Sequence, residues 1–236
     1  MNKRLIGLLQ QLNDFVSLVY PETCCACKSL LADGERHLCI YCIHGLPKTD
    51  FFRYKENQLS RIFWGRMRLE TGTSLLYFQK GGKVQRVIHQ FKYKGNTDLG
   101  FYLGTMLGLS LQHAELYADL DLIVPVPLHP ARESKRGFNQ SRVISDGISH
   151  VLSIPCPGNL LVRREYTSTQ TKKSRFRRWE NVSAVFDIPD AGVIEGKNIL
   201  LVDDVVTTGS TLEACGQRLL EIPGTKLWIA TLAITA

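Results

Sequence analysis

The 236-residue chain reads as an α/β protein: a mostly parallel sheet with helices on both faces, preceded by a small cysteine-rich module. Three observations carry this reading. Apolar strand-like runs alternate with segments of helical periodicity, the pattern of a parallel sheet whose crossovers are helices. One such run, "NILLVDD" (residues 198–204), ends in adjacent carboxylates and passes at once into a loop of hydroxyls and glycine. Ligand sites in such sheets lie at the carboxyl ends of the strands. Finally, Cys24, Cys27, Cys39 and Cys42 form two Cys-x-x-Cys pairs within one short stretch.

In residues 1–20, Leu5, Leu8, Leu9, Leu12, Phe15, Val16 and Val19 recur at helical spacing, so an amphipathic helix packed on the protein's own core is expected. Lys3 and Arg4 precede leucines as in a secretory signal. Gln10, Gln11, Asn13 and Asp14 interrupt the apolar stretch, however, and no small-residue cleavage site follows. No apolar run is long enough to span a bilayer, and a cytoplasmic location is expected.

Residues 21–50 form the cysteine module. Each Cys-x-x-Cys presents two sulfurs to one tetrahedral ion, and residues 28–38 between the pairs can fold back as a hairpin. Zinc would supply the folding energy that so short a segment cannot draw from a core. Two disulfides do not suit a cytosolic protein, and a redox pair would not be doubled. Cys25 can stand in for Cys24, although the spacing to Cys27 favours Cys24. His37 and His44 lie nearby but four thiolates close the site, which makes them surface residues. Cys156 and Cys215 read as small buried apolar groups.

Pro47 ends the module and the polar stretch 48–60 reads as a linker. "SLLYFQKGG" (74–82) predicts a strand closed by Gly81-Gly82. Val84, Val87, Ile88 and Phe91 predict a helix over 83–93, broken at Gly95. A second helix follows over 97–116 with Thr97 as N-cap. "DLIVPVPLH" (121–129) is a short strand stopped by Pro125 and Pro127, and 137–152 is a helix with Asn139 near its start. Strand 198–204, helix 211–221 and a last strand over 226–234 complete the order.

The chemistry sits at 199–211. Thr207, Thr208, Gly209, Ser210 and Thr211 open a helix, where backbone N–H groups and hydroxyls make a cradle for a monophosphate. No GxxxxGK[ST] occurs, so this is not a Walker A loop. Asp203 and Asp204 would repel a phosphate but suit vicinal hydroxyls, a divalent metal, or both. A sugar with a 5-phosphate and free hydroxyls meets both demands.

"ILLVDDVVTTGST" (199–211) resembles the phosphoribosyl-pyrophosphate (PRPP) motif of type I phosphoribosyltransferases. The resemblance implies that Asp203 and Asp204 hold the ribose hydroxyls while Val205, Val206 and Thr207 to Thr211 line and grip the 5-phosphate site. The order of a four-cysteine module, "FKYKG" (91–95), "VPVPLH" with "KRGFNQ" (135–140), the basic stretch "TQTKKSRFRRWEN" and the PRPP loop looks like the ComF family of competence-associated proteins. It implies a phosphoribosyltransferase-like domain over 51–236. Val126, Pro127, Leu128 and His129, with Arg132 and Arg136, would then bind pyrophosphate. The segment carrying Gln170, Lys173, Arg175, Arg178 and Asn181 would close over the donor. Mg²⁺ would accompany PRPP, and a role in DNA uptake, with a helicase or other competence proteins as partners, is expected, either as a transferase to an unidentified acceptor or as a non-catalytic single-stranded-DNA-binding factor that uses PRPP only as a ligand.

The net charge of +7 is concentrated: Arg163, Arg164, Lys172, Lys173, Arg175, Arg177 and Arg178 face only Glu165 and Glu180. Such an excess suits an anionic partner, pyrophosphate or single-stranded DNA. The acceptor is not legible. Residues 212–236 are taken up by one helix and one strand, so a base-binding hood would come from residues 51–80. There Phe51, Phe52, Tyr54, Phe63 and Trp64 either stack on a base or pack the cysteine module onto the main domain. Met1 and Asn2 lead into the first helix, so a glutaminase module with an N-terminal cysteine is not expected.

Overall fold

The computed structural model of the chain describes residues 21–93, 95–163 and 185–235. The predicted N-terminal helix and the closing segment with Gln170, Lys173, Arg175, Arg178 and Asn181 lie outside them. Strands β1 (Thr71–Phe78), β2 (Leu122–Pro125), β5 (Asn198–Val206) and β6 (Lys226–Thr235) form one sheet in the order β1-β6-β5-β2. All three pairings are parallel, with Leu122 opposite Ile199 and Asp203 opposite Thr231. A small antiparallel pair, β3 (Val162–Arg163) and β4 (Phe186–Asp187), stands apart.

The central strands read as unbroken apolar runs because both of their faces are covered. Leu200, Val202, Trp228 and Ala230 enter one core layer; Ile199, Leu201, Leu227 and Ile229, one residue out of phase, enter the other. The first layer is covered by α3 (Lys83–Tyr93), α4 (Thr97–Gln112) and α6 (Gln140–Leu152). The second is covered by α7 (Ser210–Leu220) and by α2 (Gln58–Ile62) with the turn after it. Val84, Val87, Ile88 and Phe91 are all buried, as the helical spacing requires. The sheet with helices on both faces is therefore the fold.

Helices α4 and α6 pack backbone to backbone. A Cβ on Gly104 would lie 2.3 Å from the Ile144 carbonyl oxygen, and one on Gly147 would lie 2.3 Å from that of Phe101. That closeness fixes α6, which delivers part of the site.

Several expectations are corrected. The N-cap of α4 is Asn96, whose side chain accepts the Leu99 N–H at 3.0 Å, not Thr97; Gly95 (φ +67) turns the chain just before it. The helix stops at Gln112, short of residue 116. Strand β1 begins at Thr71, because Thr71, Gly72 and Thr73 pair with β6 despite their weak apolar signal. Strand β2 ends at Pro125, and an unforeseen short helix, α5 (Pro130–Arg136), follows with proline at its first turn. The stretch 48–60 is no slack linker. Asn57 is buried, caps α2 by accepting the Leu59 and Ser60 N–H groups, and donates to the Gly72 carbonyl at 2.8 Å. The short α1 (Ile40–Gly45) carries Cys42, and the cysteine module joins the first core layer through Cys24, Ala26, Leu38, Cys42 and Leu46. No helix of the described residues is long and apolar enough to cross a membrane.

Candidate sugar-phosphate site and four-cysteine centre

The end of β5 and the start of α7 form one compact cavity of about 50 Å³, lined by Asp203 and by residues 205–212. Gly209 makes the turn. Its φ of +77° is left-handed, and a Cβ there would meet Ile62 and the Phe63 ring at 2.9 Å. Glycine is therefore required twice, by the backbone and by the floor beneath it. Thr207, Thr208, Ser210 and Thr211 are exposed around this turn, while Val206 is buried under it. The Thr208 and Ser210 hydroxyls lie 3.0 Å apart. Helix α7 starts one residue earlier than its periodicity suggests, at Ser210, and no side chain of its N-cap Gly209 satisfies the N–H groups of its first turn.

The carboxylates are held from three directions. Ser141 Oγ donates to Asp203 Oδ1 at 2.9 Å, and the Asp204 N–H donates to the same oxygen at 2.8 Å. Lys92 Nζ lies 2.7 Å from Asp204 Oδ2, with the two side chains only 20% and 14% exposed. Burial first, and then the charge of Asp204, pushes the Asp203 carboxyl up to about 7. At neutral pH the pair thus holds a proton on Asp203 for part of the time, while Asp204 faces an ammonium.

The second loop arrives beside the first. The Val126 N–H donates to the Val202 carbonyl at 2.9 Å, and Asn139 Nδ2 donates to the Val126 carbonyl at 3.0 Å. Asn139 also caps α6, which places Ser141 in the first turn of that helix and against Asp203. Pro127 and Leu128 line a 560 Å³ cavity next to this loop. His129 caps α5 by accepting the Ala131 N–H at 3.2 Å. On α5, Arg132 is exposed and Arg136 donates to Gln140 at 2.7 Å. The strand-end carboxylates, the glycine turn and the 126–129 loop are thereby brought to one edge of the sheet.

Three participants escaped the reading from sequence alone. Ser141 gave a weak signal, two positions after the cap at Asn139. Lys92 stood inside "FKYKG" with no partner to suggest its role. Arg66 gave none. Its guanidinium donates from Nη1 to the Thr208 carbonyl at 2.8 Å and from Nε to Glu213 at 3.0 Å. It thereby neutralises an acid in the first turn of the helix and fixes the cradle's backbone. Arg66→Met is expected to weaken binding of ribose 5-phosphate by about 10- to 100-fold, the loss of charge-assisted bonds worth ~1.5–3 kcal/mol. Glu213→Gln in the same chain should recover part of this, and titration calorimetry reads both. Of the aromatic residues between 51 and 64, Phe51 and Phe63 are core and Phe52 packs half-buried on the first layer, whereas Tyr54 and Trp64 are 61% and 58% exposed.

At the other end of the chain, the sulfurs of Cys24, Cys27, Cys39 and Cys42 all lie within 4.8 Å of one another, with Cys27 and Cys39 at 3.7 Å. A tetrahedron with metal–sulfur bonds of about 2.3 Å has edges of roughly 3.8 Å, so the residues fit a zinc-like ion. Ser29, 2.7 Å from Cys27, holds that thiol down at about 6. Burial and the neighbouring sulfurs push Cys42 up to about 12, a cost that a dication removes. Cys24, not Cys25, belongs to the cluster, and neither His37 nor His44 does. Cys215 is fully buried, while Cys156 is half-buried.

Residues 124–234 match the phosphoribosyl transferase domain family. The chain is 34% identical over 139 residues to the DNA utilization protein YhgH of Escherichia coli K12, covering 57% of this chain and 60% of that protein. Identity to competence protein F of Haemophilus influenzae is 32% over 140 residues, 58% and 61% of the two chains. To competence protein ComFC of Bacillus subtilis it is 26% over 202 residues, 85% and 78% of the two chains. The match thus spans about three fifths of the length of the first two relatives.

Proposed function

We propose that the chain belongs with the ComF-type competence and DNA-utilization proteins it is similar to, and that it binds PRPP at the edge formed by β5, α7 and the 126–129 loop. What carries the reading is one juxtaposition: a carboxylate pair beside a left-handed glycine turn at a helix N-terminus. The two carboxylates suit hydrogen-bond donors or cations, and the turn suits an anion, so a phosphorylated sugar with free hydroxyls meets both. Asp203 and Asp204 take the ribose hydroxyls, Thr207 to Thr211 take the 5-phosphate, and residues 126–129 with Arg132 and Arg136 take the pyrophosphate.

Mg²⁺, held by pyrophosphate and ribose oxygens of the donor, would neutralise the leaving group's charge. The chain's residues hold and orient the sugar and exclude alternatives to attack at C1. In a transfer, the C1–oxygen bond breaks and its electron pair departs with pyrophosphate. An acceptor lone pair then forms the new bond to C1, and the acceptor sheds its proton. No protein nucleophile is needed, and positioning with electrostatics supplies the rate. The four-cysteine centre holds structural zinc. The basic residues around Lys172 and Lys173 supply the positive charge that the donor and single-stranded DNA call for, in keeping with a cytoplasmic role in DNA uptake. A DNA-uptake helicase or another competence protein is the partner such a role implies.

Calorimetric titration with PRPP and Mg²⁺ tests the reading. One site per chain is expected, weakened at least 100-fold by Asp204→Asn. Equal binding by the variant, or none by the unsubstituted chain, overturns it. Single-stranded DNA added to the same cell should bind in a salt-sensitive way, and a flat salt response counts against the DNA partner.

A further inference from the structure

The ion pair of Lys92 with Asp204 is not required by the fold. Two mostly buried charges recover little more than their desolvation cost, and an apolar pair of the same size often serves stability as well. Yet the structure takes care to hold this one. Lys92 lies in the last turn of α3, where the neighbouring Phe91 is fully buried against the face of Gly100. The Phe91 ring also meets Phe138 at 5.6 Å between centroids. That anchor fixes the end of the helix and aims the ammonium at the strand end, 2.7 Å from Asp204 Oδ2. The opposite side of the pair is occupied by Ser141, which donates to Asp203.

The charge arithmetic at this edge follows. Two ionised carboxylates in adjacent positions form a dianion, which repels a phosphorylated donor and attracts a divalent cation. With Asp203 carrying a proton for part of the time and Asp204 facing Lys92, the clamp is close to neutral. We propose that Lys92 is the built-in counter-ion of the sugar clamp, so that Asp203 and Asp204 take sugar hydroxyls directly and not through a bridging divalent cation. Lys92 is then a positioning residue: it acts through Asp204 and reaches no reacting atom. The inference rests on the reading of the site as one for a phosphorylated sugar.

The test uses the full chain with two probes that do not depend on turnover. Ribose 5-phosphate carries the hydroxyls and the 5-phosphate but no pyrophosphate, so the ligand brings no need for metal of its own. Mn²⁺ alone reports a cation site at the clamp. The unsubstituted chain should bind ribose 5-phosphate with the same affinity, within about twofold, with and without Mg²⁺, and should bind no Mn²⁺ at the clamp. Lys92→Met should lose at least about 30-fold in sugar affinity and gain a Mn²⁺ site that Asp204→Asn removes. Lys92→Arg should stay within about fivefold of the unsubstituted chain, which a merely structural role for the helix end would not distinguish from Lys92→Met.

Unchanged sugar affinity in Lys92→Met, or a Mn²⁺ site in the unsubstituted chain that Asp204→Asn abolishes, overturns the inference. Failure of the unsubstituted chain to bind either ribose 5-phosphate or PRPP overturns the sugar reading itself, and with it the role given to Lys92. Thermal melting of each variant separates these outcomes from simple unfolding.

Discussion

Asp203→Asn is expected to make the protein more stable at neutral pH while destroying the proposed sugar site. The Asp203 carboxyl is raised from its ordinary value of 3.8 to about 7 by burial and by Asp204. Between those values the folded chain keeps a proton that the unfolded chain gives up. The unfolded state therefore binds fewer protons, and stability falls as pH rises through that window. The stabilising contribution is complete below about pH 4 and is lost by the time pH passes 7. At roughly 1.4 kcal/mol per unit, the penalty at pH 8 is on the order of 4 kcal/mol. Asparagine carries no charge to desolvate, and its carbonyl oxygen can accept both the Ser141 hydroxyl and the Asp204 N–H. Urea denaturation at pH 5 and pH 8 should show a decline in the unsubstituted chain that the variant lacks. An identical decline in both assigns the pH dependence to other groups. The same substitution should leave ribose 5-phosphate unbound, so stability and ligand binding move in opposite directions at one residue.

That opposition explains which parts of the molecule were legible in the sequence. The core of the sheet was readable because both faces of β5 and β6 are covered, and continuous apolar runs have few other uses. The Asp203-Asp204 pair was readable for the contrary reason: charged groups at the end of a buried strand have no role in packing. Gly209 and the hydroxyls around it followed, since a helix start after a glycine turn is a local pattern. What could not be read depends on tertiary approach. Arg66 reaches Thr208 and Glu213 across more than a hundred residues of sequence. Lys92 is one basic residue among many until Phe91 fixes its direction. The span 48–60 looks polar and slack, yet the Asn57 side chain is consumed by backbone groups of its own turn and of β1. Strand β1 was read too short because its first residues, Thr71-Gly72-Thr73, bury small polar side chains that carry no apolar signal.

Loss of the zinc proposed for the four-cysteine centre should have the largest effect on the fold, and it should be felt at the proposed sugar site. Binding of structural zinc by such thiolate sets is worth ~10–16 kcal/mol at neutral pH, as much as the whole stability of a typical domain. Without a cation the thiols are buried and crowd together with no counter-charge, which is what pushes Cys42 up to about 12. Cys42→Ser is therefore expected to bind no zinc and to lose protection from hydrogen exchange throughout residues 21–46. Cys25→Ser, which alters a sulfur outside the cluster, should keep one zinc per chain and cost no more than about 1–2 kcal/mol. Elemental analysis and hydrogen exchange check both. One zinc retained in Cys42→Ser, or none in Cys25→Ser, overturns the assignment. The consequence travels because α3 is shared. Arg86, near its start, donates to the Ala26 carbonyl at 2.7 Å, inside the first Cys-x-x-Cys turn. Lys92, near its end, faces Asp204. Melting the module frees one end of this helix and uncovers Val84 and Val87, which pack in the same core layer as Cys24, Cys42 and Leu46. A helix released at Arg86 cannot hold Lys92 to the carboxylate, so metal-depleted protein should bind ribose 5-phosphate at least tenfold more weakly than the zinc-loaded chain.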